Sequence, residues 1–396
     1  MWLNCGDVVS MDLIYLDHNA TTPLDPEAFE AMRPWFMERL GNASAAYALG
    51  HLSDGAVVAA REQVAALVGC TPAEIVFTSG GTESLNHAFR GVWEAFPTKR
   101  RLVTTAVEHP AVRALVQWWR SMGGEATDVD VDGEGRLNLA ALETAVRPDT
   151  ALVAVMAANN ESGVIFPVAE AAGIAKAKGA LFLVDATQAM GKVPVAAGAW
   201  GADLLCLSGH KFHGPKGTGV LMIRRGVRLK PLMLGGSQER GRRGGTENVP
   251  GIVGLGKAAE RALARLPEMD RVRGLRDALE ARILAEIPEV RIHGAGAERL
   301  PNTSLVGFAG IEGEALQLKL AEQGVCVSTG SACSTGMREP SHVLRAMQAP
   351  GTFAQGTVRF SLGLGSTMEE VERVLGLLPA QVAALRESFG CKRHPR

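Results

Sequence analysis

From about residue 75 the chain alternates short β-rich runs with stretches of helical period, and this restricts the fold more than any other feature. Strand candidates lie at 75–78, 102–105, 127–131, 151–156, 181–184, 204–207 and 219–223. Between them, 82–96, 111–122 and 168–178 read as amphipathic helices. Strand and helix in regular turn predict a largely parallel sheet covered by helices on both faces.

The pattern changes after about residue 265. A helix near 275–287 is followed by strands at 290–293 and 304–308. A helix at 314–323, strands at 325–327 and 358–362 and a closing helix complete it. A chain of 396 residues suits two or three domains. The expected division is a large α/β domain over 25–265 and a smaller α+β domain over 1–24 and 266–396. Residues 1–10 carry no basic region followed by an apolar stretch, so no secretory signal is expected. Met11 stands just before the first strand-like run, which makes those residues an expected extension or a mis-chosen start. The basic end from Gly390 is expected to fray.

Composition narrows the partners. Lys+Arg 41 against Asp+Glu 42 leaves almost no net charge, which favours neither nucleic acid nor an anionic membrane. No apolar run is long enough to cross a bilayer. The six cysteines form no C-x-x-C pair and no metal-type spacing, so no metal is expected and reduced thiols in a cytoplasm fit best.

In open α/β sheets ligands sit beyond the carboxyl ends of the strands, and five strand candidates end in unusual polar chemistry. After 75–78 comes Ser79-Gly80-Gly81-Thr82-Glu83-Ser84, which opens a helix. The glycines let backbone approach a ligand and the helix N-terminus offers free N–H groups, a phosphate seat. Thr82 as a plain N-cap is the alternative. Glu108-His109-Pro110 follows the next strand. His109 there can stack on an aromatic ring or move protons, or be an ordinary loop histidine. Asn159-Asn160 suits either a turn or a neutral amide site. Asp185-Ala186-Thr187-Gln188 puts a carboxylate at the end of a buried strand, where it needs a partner such as a protonated pyridine nitrogen, or caps a turn.

Ser208-Gly209-His210-Lys211 is the most telling end. A lysine just past a buried strand is shielded from bulk water, so its neutral, nucleophilic amine is easier to reach and can hold an aldehyde cofactor as a Schiff base. The alternative is a surface lysine. A phosphate seat, a pyridinium partner and an imine lysine together specify pyridoxal 5′-phosphate (PLP) far better than any one alone. Two decoys are set aside. Pro215 breaks the P-loop ending after Gly209, and Gly254-Leu255-Gly256-Lys257-Ala258-Ala259 follows Pro250 rather than a strand.

A second centre is the small-residue run Ser328-Thr329-Gly330-Ser331-Ala332-Cys333-Ser334-Thr335-Gly336, whose thiol is set for exposure and mobility. Cys206 and Cys326 read as core. Arg359, inside a strand pattern, is suited to grip a substrate carboxylate with two N–H groups or to form a structural salt bridge.

With these residues in view, the chain resembles the cysteine desulfurases of the class V aminotransferase family. The similarity runs from Tyr15-Leu16-Asp17-His18-Asn19-Ala20-Thr21-Thr22-Pro23 to about residue 370. It includes Val76-Phe77-Thr78-Ser79-Gly80-Gly81-Thr82-Glu83-Ser84, Asp185-Ala186-Thr187-Gln188, Ser208-Gly209-His210-Lys211 and Gly330-Ser331-Ala332-Cys333. Glu339-Pro340-Ser341-His342-Val343-Leu344-Arg345-Ala346-Met347 resembles the subgroup whose cysteine sits on a long loop.

The resemblance implies a PLP-dependent transferase of fold type I, with a mostly parallel seven-stranded sheet and a smaller α+β domain. Lys211 would hold PLP and later shuttle protons, with His109 stacked on the ring, Asp185 at its nitrogen and Gln188 at its phenolic oxygen. Gly81, Thr82, Ser208 and His210 would hold the phosphate. Thr246 would reach the phosphate of a partner subunit in a homodimer. Asn160 and Arg359 would bind the carboxylate of L-cysteine. Cys333 would take the sulfur as a persulfide, release alanine and pass sulfur to an acceptor or scaffold protein, for iron–sulfur assembly or thiolation. A selenocysteine lyase or another PLP-dependent enzyme, in which Cys333 is not the acceptor, is the alternative.

Overall fold

The structure, a computed structural model, describes residues 12–329, 340–388 and 390. Cys333 lies outside the described residues. The first strand, β1 (Ile14–Tyr15), precedes the large sheet. That sheet contains β2 (Ile75–Thr78), β3 (Arg101–Thr105), β4 (Glu125–Val129), β5 (Thr150–Met156), β6 (Leu181–Asp185), β7 (Leu204–Ser208) and β8 (Gly219–Ile223). Their spatial order is β2-β8-β7-β6-β5-β3-β4, with β8 antiparallel to both neighbours and every other pairing parallel. Because β2 and β7 both run against β8, β2 through β7 all end at one edge.

The continuous apolar runs are explained by burial on two sides. Along β5, Val153 and Val155 enter one hydrophobic core while Leu152 and Ala154 enter another. The mostly parallel seven-stranded sheet expected from sequence is therefore present. One strand differs by more than a residue. The strand expected at 127–131 is Glu125–Val129, because as an edge strand it takes its register from β3, with Arg101 opposite Glu125. Val131 instead pairs with Leu137 around a turn in which Asp132 Oδ1 accepts from the backbone N–H groups of Glu134 and Arg136.

The smaller sheet is antiparallel, with β9 (Val290–Ile292) and β12 (Thr357–Ser361) flanking β10 (Thr303–Phe308). β11 (Val325–Cys326) pairs in parallel with β1. These strands share a separate core with the helices Met269–Glu286 and Met368–Ser388, and Ile14 and Leu16 insert into it. Val343 and Met347 instead pack into the core of the large sheet.

The glycines of the rejected dinucleotide pattern have a packing role. They lie in the helix Val249–Ala264, where a Cβ on Gly256 would sit 2.6 Å from Ala60 Cα. That close approach seats the helix on Ala48–Val68, a long helix preceding the large sheet. Among the described residues, no helix is long and apolar enough to cross a membrane.

Candidate active site

Lys211 closes a single turn, Gly209–Lys211, directly after β7. Its Nζ donates to the backbone carbonyls of Asn19 (2.6 Å) and Ala20 (2.7 Å), supplied by the segment that follows β1. Burial lowers the Lys211 pKa to about 8, helped by the charge of Arg359 and opposed by Asp17 and Asp185. At pH 7 roughly a tenth of such a side chain is the free amine.

The segment from Asp17 to Pro23 is draped over this turn. Thr22 N and Oγ1 both donate to the His210 carbonyl, and His213 N donates to Thr22 Oγ1 at 2.7 Å. His210 Nδ1 lies 3.1 Å from Thr21 Oγ1, and burial holds its imidazole down to about 4, hence neutral at physiological pH. Asn19, only 1% exposed, is the hub. Its carbonyl also accepts from Gln188 Nε2 (3.0 Å), its Oδ1 from Asn302 Nδ2 (3.0 Å), and its Nδ2 donates to Thr303 Oγ1 (2.8 Å).

Asp185 ends β6 and is buried; its Oδ1 accepts from Thr187 N at 3.0 Å. Cys206 beside it is fully buried, and burial together with Asp185 raises its thiol pKa far above the usual range, which suits a core cysteine. His109 caps the helix Pro110–Ser121, its Nδ1 accepting from Ala111 N at 3.2 Å, so the ring proton belongs on Nε2. Its side chain is exposed. Partial enclosure still lowers its pKa, opposed by Asp185 and assisted by Lys211, which places the three groups within electrostatic reach of one another.

The glycine turn after β2 faces the ends of β6 and β7. A Cβ on Gly81 would sit 3.3 Å from Thr187 Oγ1, and one on Gly80 would sit 3.7 Å from Ser208 Oγ. The helix Gly81–Ala95 begins here without a side-chain cap, and Ser208 Oγ has no hydrogen-bond partner among the described residues. Open N–H groups and hydroxyls around space that glycine leaves clear suit a phosphate group. Thr82, in the first turn of that helix, is exposed. Glu83 is ion-paired with Arg243 at 3.0 Å, fixing the loop that carries Thr246. Thr246 itself is exposed and makes no hydrogen bond among the described residues.

Arg359 is buried and already paired, donating to Asp17 Oδ1 (2.7 Å) and to the Asn160 carbonyl (2.8 Å), while its Nε has no partner. Arg359 thus makes a salt bridge, beside the backbone of Asn160. Asn159 is the turn former, its Oδ1 accepting from the N–H groups of Glu161 and Ser162. The Asn160 side chain stays free of partners among the described residues.

The structure therefore gathers Lys211, His210, Asp185, Gln188, His109, Asn160, Ser208, Gly81 and Arg359 along one edge, and the loop of Thr246 is tied to the Gly81 helix through Arg243–Glu83. Sequence reasoning assigned no role to Asp17, Asn19, Thr187 or Lys192. Lys192 carried a readable signal, since it falls four residues after Gln188 in the turn that follows β6.

The aminotransferase class-V family model matches residues 14–374. A protein named cysteine desulfurase from Trichormus azollae is 50% identical, with 95% of this chain and 94% of that protein covered. A solved NifS-like protein is 40% identical with a TM-score of 0.89, covering 94% of this chain and all of that one (100%). A structure described as SspA in complex with cysteine is 32% identical with a TM-score of 0.79, covering 88% and 98% of the two chains. The chain accordingly belongs to the aminotransferase class-V family, among its cysteine desulfurases.

Proposed function

We propose that this protein takes sulfur from L-cysteine in the cleft around Lys211, with PLP as its cofactor and Cys333 as the sulfur acceptor. The observation that carries the reading is the convergence of Lys211 Nζ and Gln188 Nε2 on the Asn19 carbonyl, with Asp185 and His109 within electrostatic reach of Lys211. The residues fit the cofactor. The Gly80–Gly81 turn and Ser208 offer donors to a phosphate, with Thr82 and His210 at the rim. Asp185 offers a buried carboxylate to a ring nitrogen, Gln188 an N–H to a ring oxygen, and His109 a neutral ring face. When bound, PLP supplies an electron sink that weakens the substrate Cα–H bond.

The protein's part is to bind, orient and move protons. Lys211 would hold the cofactor through its side-chain amine. Its amine, depressed to about 8, would take the substrate Cα proton and return a proton elsewhere. Arg359, with the Asn160 side chain nearby, holds the substrate carboxylate. The Cys333 thiolate then attacks the substrate sulfur. A sulfur–sulfur bond forms, the carbon–sulfur bond breaks with its electron pair left on carbon, that carbon gains a proton, and alanine departs.

A homodimer completes the site in this reading, with Thr246 directed at a partner's phosphate. Exposed apolar side chains such as Phe36, Met37, Leu40 and Leu234 support such an interface. A cytoplasm, where thiols stay reduced, suits the persulfide. Delivery to an iron–sulfur scaffold or a thiolation acceptor follows. The test is mass spectrometry of the Cys333 peptide after incubation with L-cysteine, with alanine measured in parallel. A gain of one sulfur is expected. Alanine without modification of Cys333 refutes its role.

A further inference from the structure

Lys192 lies in the turn after β6, four residues beyond Gln188, and is only 7% exposed. Burying an amine this deeply is costly unless it is well partnered. Among the described residues no carboxylate pairs with it. Its Nζ donates to Gln188 Oε1 at 2.7 Å and to Asn19 Oδ1 at 3.3 Å. A primary amide has a donor end and an acceptor end of nearly the same shape, so its orientation is set by its neighbours. Lys192 offers a donor, which turns the Gln188 oxygen toward it. Nε2 is thereby directed the other way, where one hydrogen is taken by the Asn19 carbonyl at 3.0 Å. The second hydrogen has no partner among the described residues.

We propose that Lys192 is a positioning residue that, by holding Gln188 Oε1, commits this amide to present an N–H and never an oxygen to the ring oxygen of the cofactor. The inference rests on the PLP reading above. Burial and the charges of Lys211 and Arg359 push the Lys192 pKa well down, and in either protonation state its Nζ remains a donor to Gln188 Oε1. Arg359, Asp17 and Asp185 act on Lys211, with His109 and His210 at the rim, while His18, His210 and His213 face the Lys192 charge.

An N–H donated to the ring oxygen favours its anionic form and lowers the proton affinity of the bound chromophore. The experiment loads the full chain with pyridoxal 5′-phosphate and titrates the visible band in wild type, Lys192→Met, Gln188→Ala and the double variant. Lys192→Met is expected to raise the midpoint by about half to one pH unit, Gln188→Ala by at least as much, and the double variant no further than Gln188→Ala alone. If Lys192→Met does not fold, Lys192→Gln, which keeps an N–H donor, is expected to shift the midpoint upward by less than Gln188→Ala does. A Lys192→Gln midpoint equal to or above that of Gln188→Ala contradicts the proposal. A Lys192 shift that survives undiminished in the Gln188→Ala background means the lysine acts through charge or packing and overturns it. A coloured protein whose midpoint ignores Lys192→Met also overturns it, with the cofactor reading left standing. A wild-type chain that stays colourless sinks both.

Discussion

At the Gly80–Gly81 turn a helix start stands uncapped, whereas around Arg359 the polar groups already satisfy one another. The turn has an uncapped helix start and a Ser208 hydroxyl with no partner among the described residues. Arg359 is closed by Asp17 and the Asn160 carbonyl, with only Nε left over. A ligand entering the first region displaces only water. One entering the second must exchange against bonds already made, at a net gain of a fraction of their gross strength. The difference fits a division of labour. The open region holds a resident group through every turnover, and the closed one grips a substrate that has to leave.

The largest expected effect lies at the lysine both regions serve. Lys211→Ala should lower alanine formation by about a thousandfold or more, read by product assay, with folding checked by thermal melting. Near-normal turnover would remove Lys211 from the chemistry. Arg359→Ala comes next. The KM for L-cysteine should rise about 10- to 100-fold, because charge-assisted hydrogen bonds are lost, while the visible band of the loaded protein is retained. Loss of the band with unchanged KM would reverse the roles of the two regions.

Filling the open region should do the opposite. Gly81→Ala puts a methyl 3.3 Å from where Thr187 Oγ1 lies. PLP affinity by fluorescence titration should fall about tenfold with little change in KM. Capture of free PLP by the apoprotein should quicken with pH, because only the neutral amine reacts. With the Lys211 pKa near 8, the free-amine fraction and the rate rise about tenfold between pH 7 and pH 9 and then level. A flat profile would mean the nitrogen is not shielded. The smallest effect sharpens the comparison most. Asp17→Asn removes a competitor for Arg359 and should lower KM about threefold. A rise in KM would instead make Asp17 a support that holds the guanidinium in place.

The strand-end residues were legible because each follows an apolar run that is itself a clear signal. Lys211 after β7, Asp185 after β6 and the glycine pair after β2 needed no knowledge of distant contacts. Asn19 and Asp17 were not legible as site residues. Their partners, Thr303, Lys211 and Arg359, lie far along the chain, and nothing local marks a backbone carbonyl as a hub. The first segment was expected with the smaller α+β unit. β1 and Leu16 do join that core, yet the residues just beyond them close over Lys211. The edge strand β4 slipped by two residues because apolar content cannot show where a turn such as that at Asp132 cuts a strand.

Two amines, those of Lys211 and Lys192, bond to Asn19, one half-buried and one sealed behind Gln188. Borohydride reduction of the PLP-loaded protein, followed by peptide mapping, distinguishes them directly. The phosphopyridoxyl mass is expected on Lys211 alone. Finding it on Lys192, or recovering a protein that takes up no label, would contradict the assignment.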